Sequence, residues 1–429
     1  MWQTIRNAWK IADLRKKILY TLMILVVVRL GAAIPVPFLN SAALTSMMAA
    51  DGSLLGYLDV LTGGALSQAT LFALSISPYI TASIVIQLLT VAIPPLERLA
   101  KAGEDGQKKL KKINRYTTVG LAVLQSVAFY FLFKNGYQAV KTYNSSVANF
   151  LVATTIVATF TAGAMVVVWL GERIDEKGIG NGISLILFVG IVSRAPGAIH
   201  ALFQNFAKGP QYYVYVPLVM ILFVAMIAFI VVMNSAERRI TIQYAKITRG
   251  NKMWGGQKSY LPIKVSMSGV LPIIFASTFL AIPGTIKSFV DPQGLTGFGR
   301  FLGHFNYNTW LYAVLYFFLI IGFNYFYIAI QYNPVEMANN IKNNHGAIPG
   351  IKPGRSTVEF IQKRINRVTL AGALMLAVIA ILPILLGNLM KMNISLGGTS
   401  VIILVGVALD TVRGLESQMM MRHHKGFLE

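Results

Sequence analysis

The stretch of this sequence that most invites a chemical reading is GIGNG, Gly178 to Gly182. Glycine-rich turns ahead of a helix cradle phosphates when they follow a strand and deliver a lysine to the phosphate oxygens. Here the turn follows no strand and opens an apolar run, and no Gly-Lys dipeptide occurs in the chain, so there is no Walker A loop. The five histidines, His200, His304, His345, His423 and His424, show no HExxH or other metal-ligating spacing. With no cysteine, disulfides, thiolate nucleophiles and thiolate metal sites are all unavailable. No cofactor and no metal are expected, and no nucleophile or metal constellation marks an embedded enzyme.

The acids and bases are placed as tellingly. Asp and Glu number 16, and none lies in the core of an apolar stretch; Asp410 stands near the end of the last one. Proton- or sodium-coupled transporters need carboxylates inside the membrane, so a secondary transporter of small solutes is the weaker alternative. Arg29 is the one clear charge within an apolar run. Snorkelling, or pairing with a backbone carbonyl, accounts for it.

These residues sit in a chain of 429 residues that is 55% hydrophobic and 13% charged, with a net charge of +22. That composition describes a polytopic α-helical membrane protein. Ten apolar stretches stand out, at about 18–37, 70–93, 116–134, 149–170, 181–204, 214–234, 266–286, 309–330, 368–387 and 398–412. The first is longer than a signal-peptide core and reads as an uncleaved span. An even number places both termini on one side. Thirty of the 38 lysines and arginines fall in the termini and the even-numbered loops, seven in the odd-numbered loops. The asymmetry predicts cytoplasmic termini. Spans one to five, within 1–193, and six to ten, within 214–429, form two equal halves joined by an external linker, 194–213, placed to act as a hinge.

Two predicted cytoplasmic loops are long. Residues 235–264 contain RRITIQYAKI, which alternates like a strand, and predict a protruding hairpin. Residues 331–367 contain paired Pro and Gly that force an irregular tip, followed by a basic helix. Loops of this length usually bind something. A third feature is the run Leu54 to Leu61, too short to cross a bilayer, which precedes Gly63 and Gly64.

Several spans carry polar groups that a lipid-facing helix does not need. Span two has Ser75, Ser77, Pro78, Thr81, Ser83 and Gln87, with Ile80 and Ile84 on one face. Its hydroxyls can bond to helix carbonyls, and Pro78 is expected to bend it. Span seven has Pro272, Ser277 and Thr278 around Ile274. Span five offers Leu187 and Ile191, span ten Ile403. By periodicity alone these also fit ordinary packing.

The sequence resembles the SecY family, the central subunit of the bacterial-type Sec protein-conducting channel. The resemblance is carried by LDVLTGGALSQATLFALSISPYITASIVIQLLT, GERIDEKGIGNGISLILFVGIV, AERRITIQYAKI, LPIKVSMSGVLPIIFAS, NPVEMANNIKNNHGAIPGIKPG and GGTSVIILVGVALD, with ADLRKKILYTL near the start. It implies an all-α polytopic protein of ten transmembrane helices in two five-helix halves around an hourglass pore. It further implies a function: passing unfolded secretory polypeptides across the plasma membrane and releasing signal sequences sideways into lipid, driven by partner motors.

By motif position the resemblance implies a pore ring of Ile80, Ile84, Leu187, Ile191, Ile274 and Ile403. Such a ring excludes ions by dewetting yet yields to a passing chain. It makes about 54–64 a plug helix in the external funnel, comprising Leu54, Leu55, Tyr57, Leu58, Val60 and Leu61, with Gly63 and Gly64 supplying freedom where it swings aside. It implies a lateral gate between spans two and three and spans seven and eight, for which Ser77, Gln87, Ser277 and Thr278 are the expected polar latch. Arg238, Arg239, Lys246 and Arg249 on the first loop, and Lys352, Arg355, Lys363 and Arg364 on the second, become docking cations. Lys352 stands where the family usually has Arg, and lysine cannot make the bidentate fork. The implied partners are SecE and SecG, the SecA motor ATPase, the ribosome with its RNA, secretory preproteins with signal sequences, and membrane lipids.

Overall fold

The computed structural model describes residues 2–48, 59, 62–136, 138–244, 246–249, 252–255, 258–290, 297–305, 309–390 and 397–423. The chain opens with α1 (Trp2–Lys10) and α2 (Ala12–Gly31). Helix α2 buries Ile24, Leu25 and Val28 and exposes Leu19, Leu22, Met23, Val26, Val27 and Leu30. A helix apolar on both faces packs one against the protein and turns the other to lipid. After α3 (Ser41–Met48), span two forms helix α4 (Ser77–Ala92), then α5 (Pro94–Lys101). The two meet at 103°. Pro94 and Pro95 explain the break, because proline removes a helix donor and holds the preceding residue extended; Ile93 has φ −112° and ψ 109°.

Helices α6 (Gly103–Phe131), α7 (Ser146–Lys177), α8 (Gly182–Gln204) and α9 (Tyr212–Ser235) complete the first half and begin the second. The second half continues through α10 (Leu271–Val290), α11 (Gly297–Gly303), α12 (Trp310–Gln331), α13 (Pro334–Asn343), α14 (Arg355–Met390) and α15 (Gly398–His423). Among the described residues seven helices are long and apolar enough to cross a membrane, and α4 with α5 would make an eighth. The first and seventh expected spans correspond to α2, which carries five charges, and to α10, whose described apolar part is Leu271–Leu280. The count of ten therefore rests on the sequence. The chain is a multi-pass membrane protein.

The loop expected to form a hairpin does so. Strand β1 (Glu237–Tyr244) pairs antiparallel with β4 (Lys258–Lys264), and β2 (Lys246–Arg249) with β3 (Lys252–Gly255). The other side of β1 takes β5 (Gly346–Ala347), from the second long loop, so one sheet of order β4-β1-β5 joins the two loops. Ile240, Ile242 and Ile263 of this sheet pack on Ile341, Ile348, Ile361 and Ile365. The basic helix expected after the tip is continuous with span nine in α14.

Both termini lie on one face. Ala8 and Leu14 pack with Ile179 and Leu415 in a small cluster, and Arg413 Nη2 donates to the Asn234 carbonyl at 3.0 Å, beside the root of the hairpin. Elsewhere the 32–40 stretch is held by backbone bonds to two distant parts of the chain: Val36 N–H donates to Ala69 O, and Asn40 N–H to Ala139 O.

Candidate functional site: the seat between the halves

Four of the six expected ring residues come together. Ile80 on α4, Leu187 and Ile191 on α8, and Ile403 on α15 belong to one apolar cluster with Ile24, Val28, Phe72, Ile76, Val167 and Val407. Ile191 is fully buried and Ile403 nearly so. The cluster joins helices of the first half to the last helix of the second, so it lies at the junction of the halves. Ile84 and Ile274 are only partly buried and stand outside it.

Beside this cluster the chain over residues 62–76 is irregular. Span two was expected from residue 70, but its helix begins at Ser77; Leu71–Ile76 run as turns, and Ala69 and Ser75 have φ of 49° and 45°. Pro78 consequently falls in the first turn of α4, where a proline has no intrahelical bond to lose, and does not bend the span. The backbone here pays its way with its own polar groups: Thr62 Oγ1 donates to Asp59 O at 3.1 Å, Ser67 Oγ to Gly64 O at 3.1 Å, and Thr70 Oγ1 to Ala65 O at 3.0 Å. Thr62, Ser67, Thr70 and Ser75 are all buried.

The expected plug residues Leu54, Leu55, Tyr57, Leu58, Val60 and Leu61 lie outside the described residues. Gly63 and Gly64 do not. Their φ values are 70° and 89°, the left-handed region that glycine tolerates. A Cβ on Gly63 would stand 2.6 Å from Arg29 Nη1 and 2.8 Å from the Gly190 carbonyl. Both conformation and space therefore demand glycine here, a reason independent of any swinging motion.

Two cations grip this turn. Arg29 Nη1 lies 3.5 Å from the Gly63 carbonyl, so the lone charge of span one does pair with backbone. Arg194 Nη2 meets Asp59 Oδ2 at 2.7 Å, while Asp59 Oδ1 accepts from the Ser67 N–H at 2.7 Å. Asp59 is about 4% exposed and Arg194 about 34%. The sequence reading missed this pair: Asp59 sits inside LLGYLDVL and Arg194 at the start of the expected linker. Each is a lone charge amid apolar residues, and that was the available signal. Residue 194 is also no linker, since α8 continues to Gln204.

The expected polar latch is differently engaged. Ser277 Oγ and Thr278 Oγ1 both donate to the Ile274 carbonyl of their own helix, at 2.9 and 2.8 Å. Ser77 and Gln87 are partly buried; Thr81 Oγ1 donates to the Ser77 carbonyl and Thr90 Oγ1 to the Gln87 carbonyl. The side-chain bond from α4 to α6 is Asn114 Nδ2 to Ser83 Oγ, at 2.9 Å. The GIGNG turn is filled by the protein itself: Asp175 Oδ1 accepts from Gly182 N–H at 2.7 Å, and Asn181 Oδ1 caps Ser184 N–H at 3.0 Å. A carboxylate at that helix start opposes a phosphate.

On the terminus-bearing face, Arg238, Arg239, Lys352, Arg355 and Lys363 are exposed. Arg239 pairs with Glu237 at 2.7 Å and Arg355 with Glu359 at 3.2 Å. Arg364 stacks over the Phe360 ring at 4.8 Å. Lys246 and Arg249 lie at the two ends of β2.

The SecY family model matches residues 70–412. This chain belongs to the SecY family. The protein translocase subunit SecY of Thermotoga maritima is 41% identical over 435 residues, covering 100% of this chain and 98% of its own. Among solved structures, a SecY whose plug domain stabilises the closed channel and maintains the membrane seal superposes with TM-score 0.62 at 17% identity, covering 94% of this chain and 92% of that one. Sec61 in the canine ribosome-channel complex gives 0.57 at 16% identity, with the same coverages.

Proposed function

We propose that this chain is a protein-conducting channel in which unfolded secretory polypeptides pass between the two halves and signal sequences leave sideways into lipid. The observation that carries the reading is the dry cluster of branched aliphatic residues, contributed by α4, α8 and α15, at that junction. Such side chains hold back ions by dewetting yet deform around any sequence. Family membership supports the same reading and lends none to a small-solute transporter. In it, Ile84 and Ile274, now outside the cluster, complete the ring when the halves rearrange. Residues 54–64 form the plug, and spans two, three, seven and eight form the lateral gate. The membrane is the plasma membrane, with ten spans and with the termini and both basic loops in the cytoplasm.

The joined sheet and the start of α14 then form the docking platform for the SecA motor and for the ribosome, whose RNA favours basic surfaces; SecE and SecG are the small membrane subunits. Sec61 in a ribosome-channel complex is a structural neighbour that supports the ribosome as partner. The test uses the cysteine-free background. Single cysteines at Ile80, Ile191, Ile274 and Ile403 should crosslink to a stalled secretory chain, and cysteines at the exposed Leu124 and Ile221 should not. Crosslinks to none of the four, with the chain engaged, would refute the channel assignment.

A further inference from the structure

The Asp59–Arg194 ion pair is the feature that the channel reading leaves without a task. A carboxylate about 4% exposed is expensive to keep charged. Here it is held by one guanidinium and one backbone N–H, at 2.7 Å each. The pair spans 135 residues of sequence and ties an irregular segment to the middle of α8, at a position three residues after Ile191 in the same helix. Arg29 approaches the same turn from α2. A Cβ on Gly64 would lie 3.4 Å from Arg194 Nε, so the turn rests directly on the guanidinium. Three parts of the chain, α2, α8 and the residues at 59 and 62–70, are thereby brought together beside the apolar cluster.

We propose that the Asp59–Arg194 pair, backed by Arg29 on the Gly63 carbonyl, is the latch that sets the threshold for opening, by holding Asp59 and the 62–67 turn against α8. The proposal rests on the channel reading and names the residues that govern its resting state. The chemistry suits a latch. Desolvation cancels much of the Coulomb gain of a buried pair, so the seated state is favoured only modestly over one in which water solvates both charges. Breaking one partner is different, because it leaves the other charge uncompensated. That asymmetry gives a signature. Arg194→Ala strands a carboxylate that is almost fully enclosed, whereas Asp59→Ala strands a guanidinium that already reaches water. The arginine variant should therefore release the turn more than the aspartate variant does.

The test is ion leak from vesicles containing the full chain reconstituted with its co-purifying subunits, alongside export of a precursor with a defective signal sequence. Resting leak and defective-precursor export should rise about tenfold or more for Arg194→Ala and less for Asp59→Ala, with the exchange Asp59→Arg/Arg194→Asp falling well below either single variant. Single variants with wild-type leak and stringency would overturn the latch. So would singles that leak while their double variant shows the simple sum of both, since uncoupled effects mean no pair is acting. Crosslinks from a stalled chain to Ile191 and Ile403, scored in the same preparations, separate the two levels: their loss refutes the channel reading, and their retention with unchanged leak refutes the latch alone. Because a variant can simply misfold, the Asp59→Asn variant, which keeps an acceptor for the Ser67 N–H, provides a milder second measurement; unchanged leak there and in Arg194→Lys would also count against the latch.

Discussion

The cores of the two halves are built on different principles. In the second half, Met226, Ile230, Ile273, Tyr316, Ile320, Leu376, Ile384, Val401 and Val405 pack regular helices against one another in one large apolar cluster. Several of its buried polar groups bond between elements. Ser268 Oγ bonds to Asn324 Oδ1, Asn324 Nδ2 donates to Thr369 O at 3.1 Å, and the Tyr316 and Thr399 hydroxyls meet at 3.1 Å. In the first half, Asp59 and residues 62–76 bond to one another through Thr62, Ser67 and Thr70, pair with Ile34 and Val36 through the backbone, and meet the surrounding helices through the Asp59–Arg194 ion pair, Arg29 on Gly63, close-packed glycines and apolar contacts. Cross-helix bonds make a wall; a segment whose own hydroxyls satisfy part of its backbone has fewer outside bonds to give up when it moves.

Glycine substitutions break this contrast most sharply. A Cβ on Gly163 of α7 would fall 1.9 Å from the Leu71 carbonyl, and one on Gly31 of α2 would fall 2.0 Å from the Phe72 ring. Gly163→Ala should displace the 71–76 turns at a cost of about 1–3 kcal/mol, read as raised ion leak and lower detergent-solution stability. Gly406→Ala, whose nearest neighbours are 3.9 Å away, should change neither measurably. If both variants behave alike, the close seat is not what holds the turns.

Asn324→Ala tests the wall. It leaves the Ser268 hydroxyl and the Thr369 carbonyl without their partner, at a cost of about 1–3 kcal/mol. Thermal unfolding should shift down while resting leak stays at the wild-type level; a leak without a stability change would erase the distinction between the halves. Within the seal, Ile191→Asn, at a fully buried position, should raise leak and loosen signal-sequence selectivity more than Ile84→Asn or Ile274→Asn. Equal effects would mean that all six ring positions already act together in the closed molecule.

Smaller effects are expected at the surface. Charge reversal at the exposed Arg238 and Arg239 should weaken ribosome and SecA binding in a salt-dependent manner, with stability changed by less than about 0.5 kcal/mol. Unaltered binding would remove both from the docking surface. Ser277→Ala and Thr278→Val should alter gating least, because both hydroxyls are already spent on the Ile274 carbonyl.

What the sequence made legible followed from period and composition. The apolar stretches, the strand alternation of RRITIQY and the lone Arg29 each announce themselves within a few neighbouring residues. What stayed hidden depends on partners far apart in the chain. Nothing local to Asp59 points at Arg194, nothing in Gly346–Ala347 points at Gln243 and Tyr244, and hydropathy alone cannot tell the turns at 71–76 from another turn and a half of helix. Pro78 shows the same limit, since a proline in an apolar run kinks a helix or starts one depending on a boundary that hydropathy blurs. Of the six ring positions that the resemblance implies, Ile80, Leu187, Ile191 and Ile403 share one cluster; spacing alone does not separate them from ordinary packing, because which side chains meet depends on how α15 approaches α8.

The short pairing of β5 with β1 has a mechanical reading. Gly346 and Ala347 are clipped to Tyr244 and Gln243, so the strand that leaves α9 and the tip that precedes α14 share one splint. A load applied to either loop by a bound partner is therefore delivered at two anchor points, the foot of α9 and the foot of α14, and bends the second half as a single lever rather than tugging on one rod.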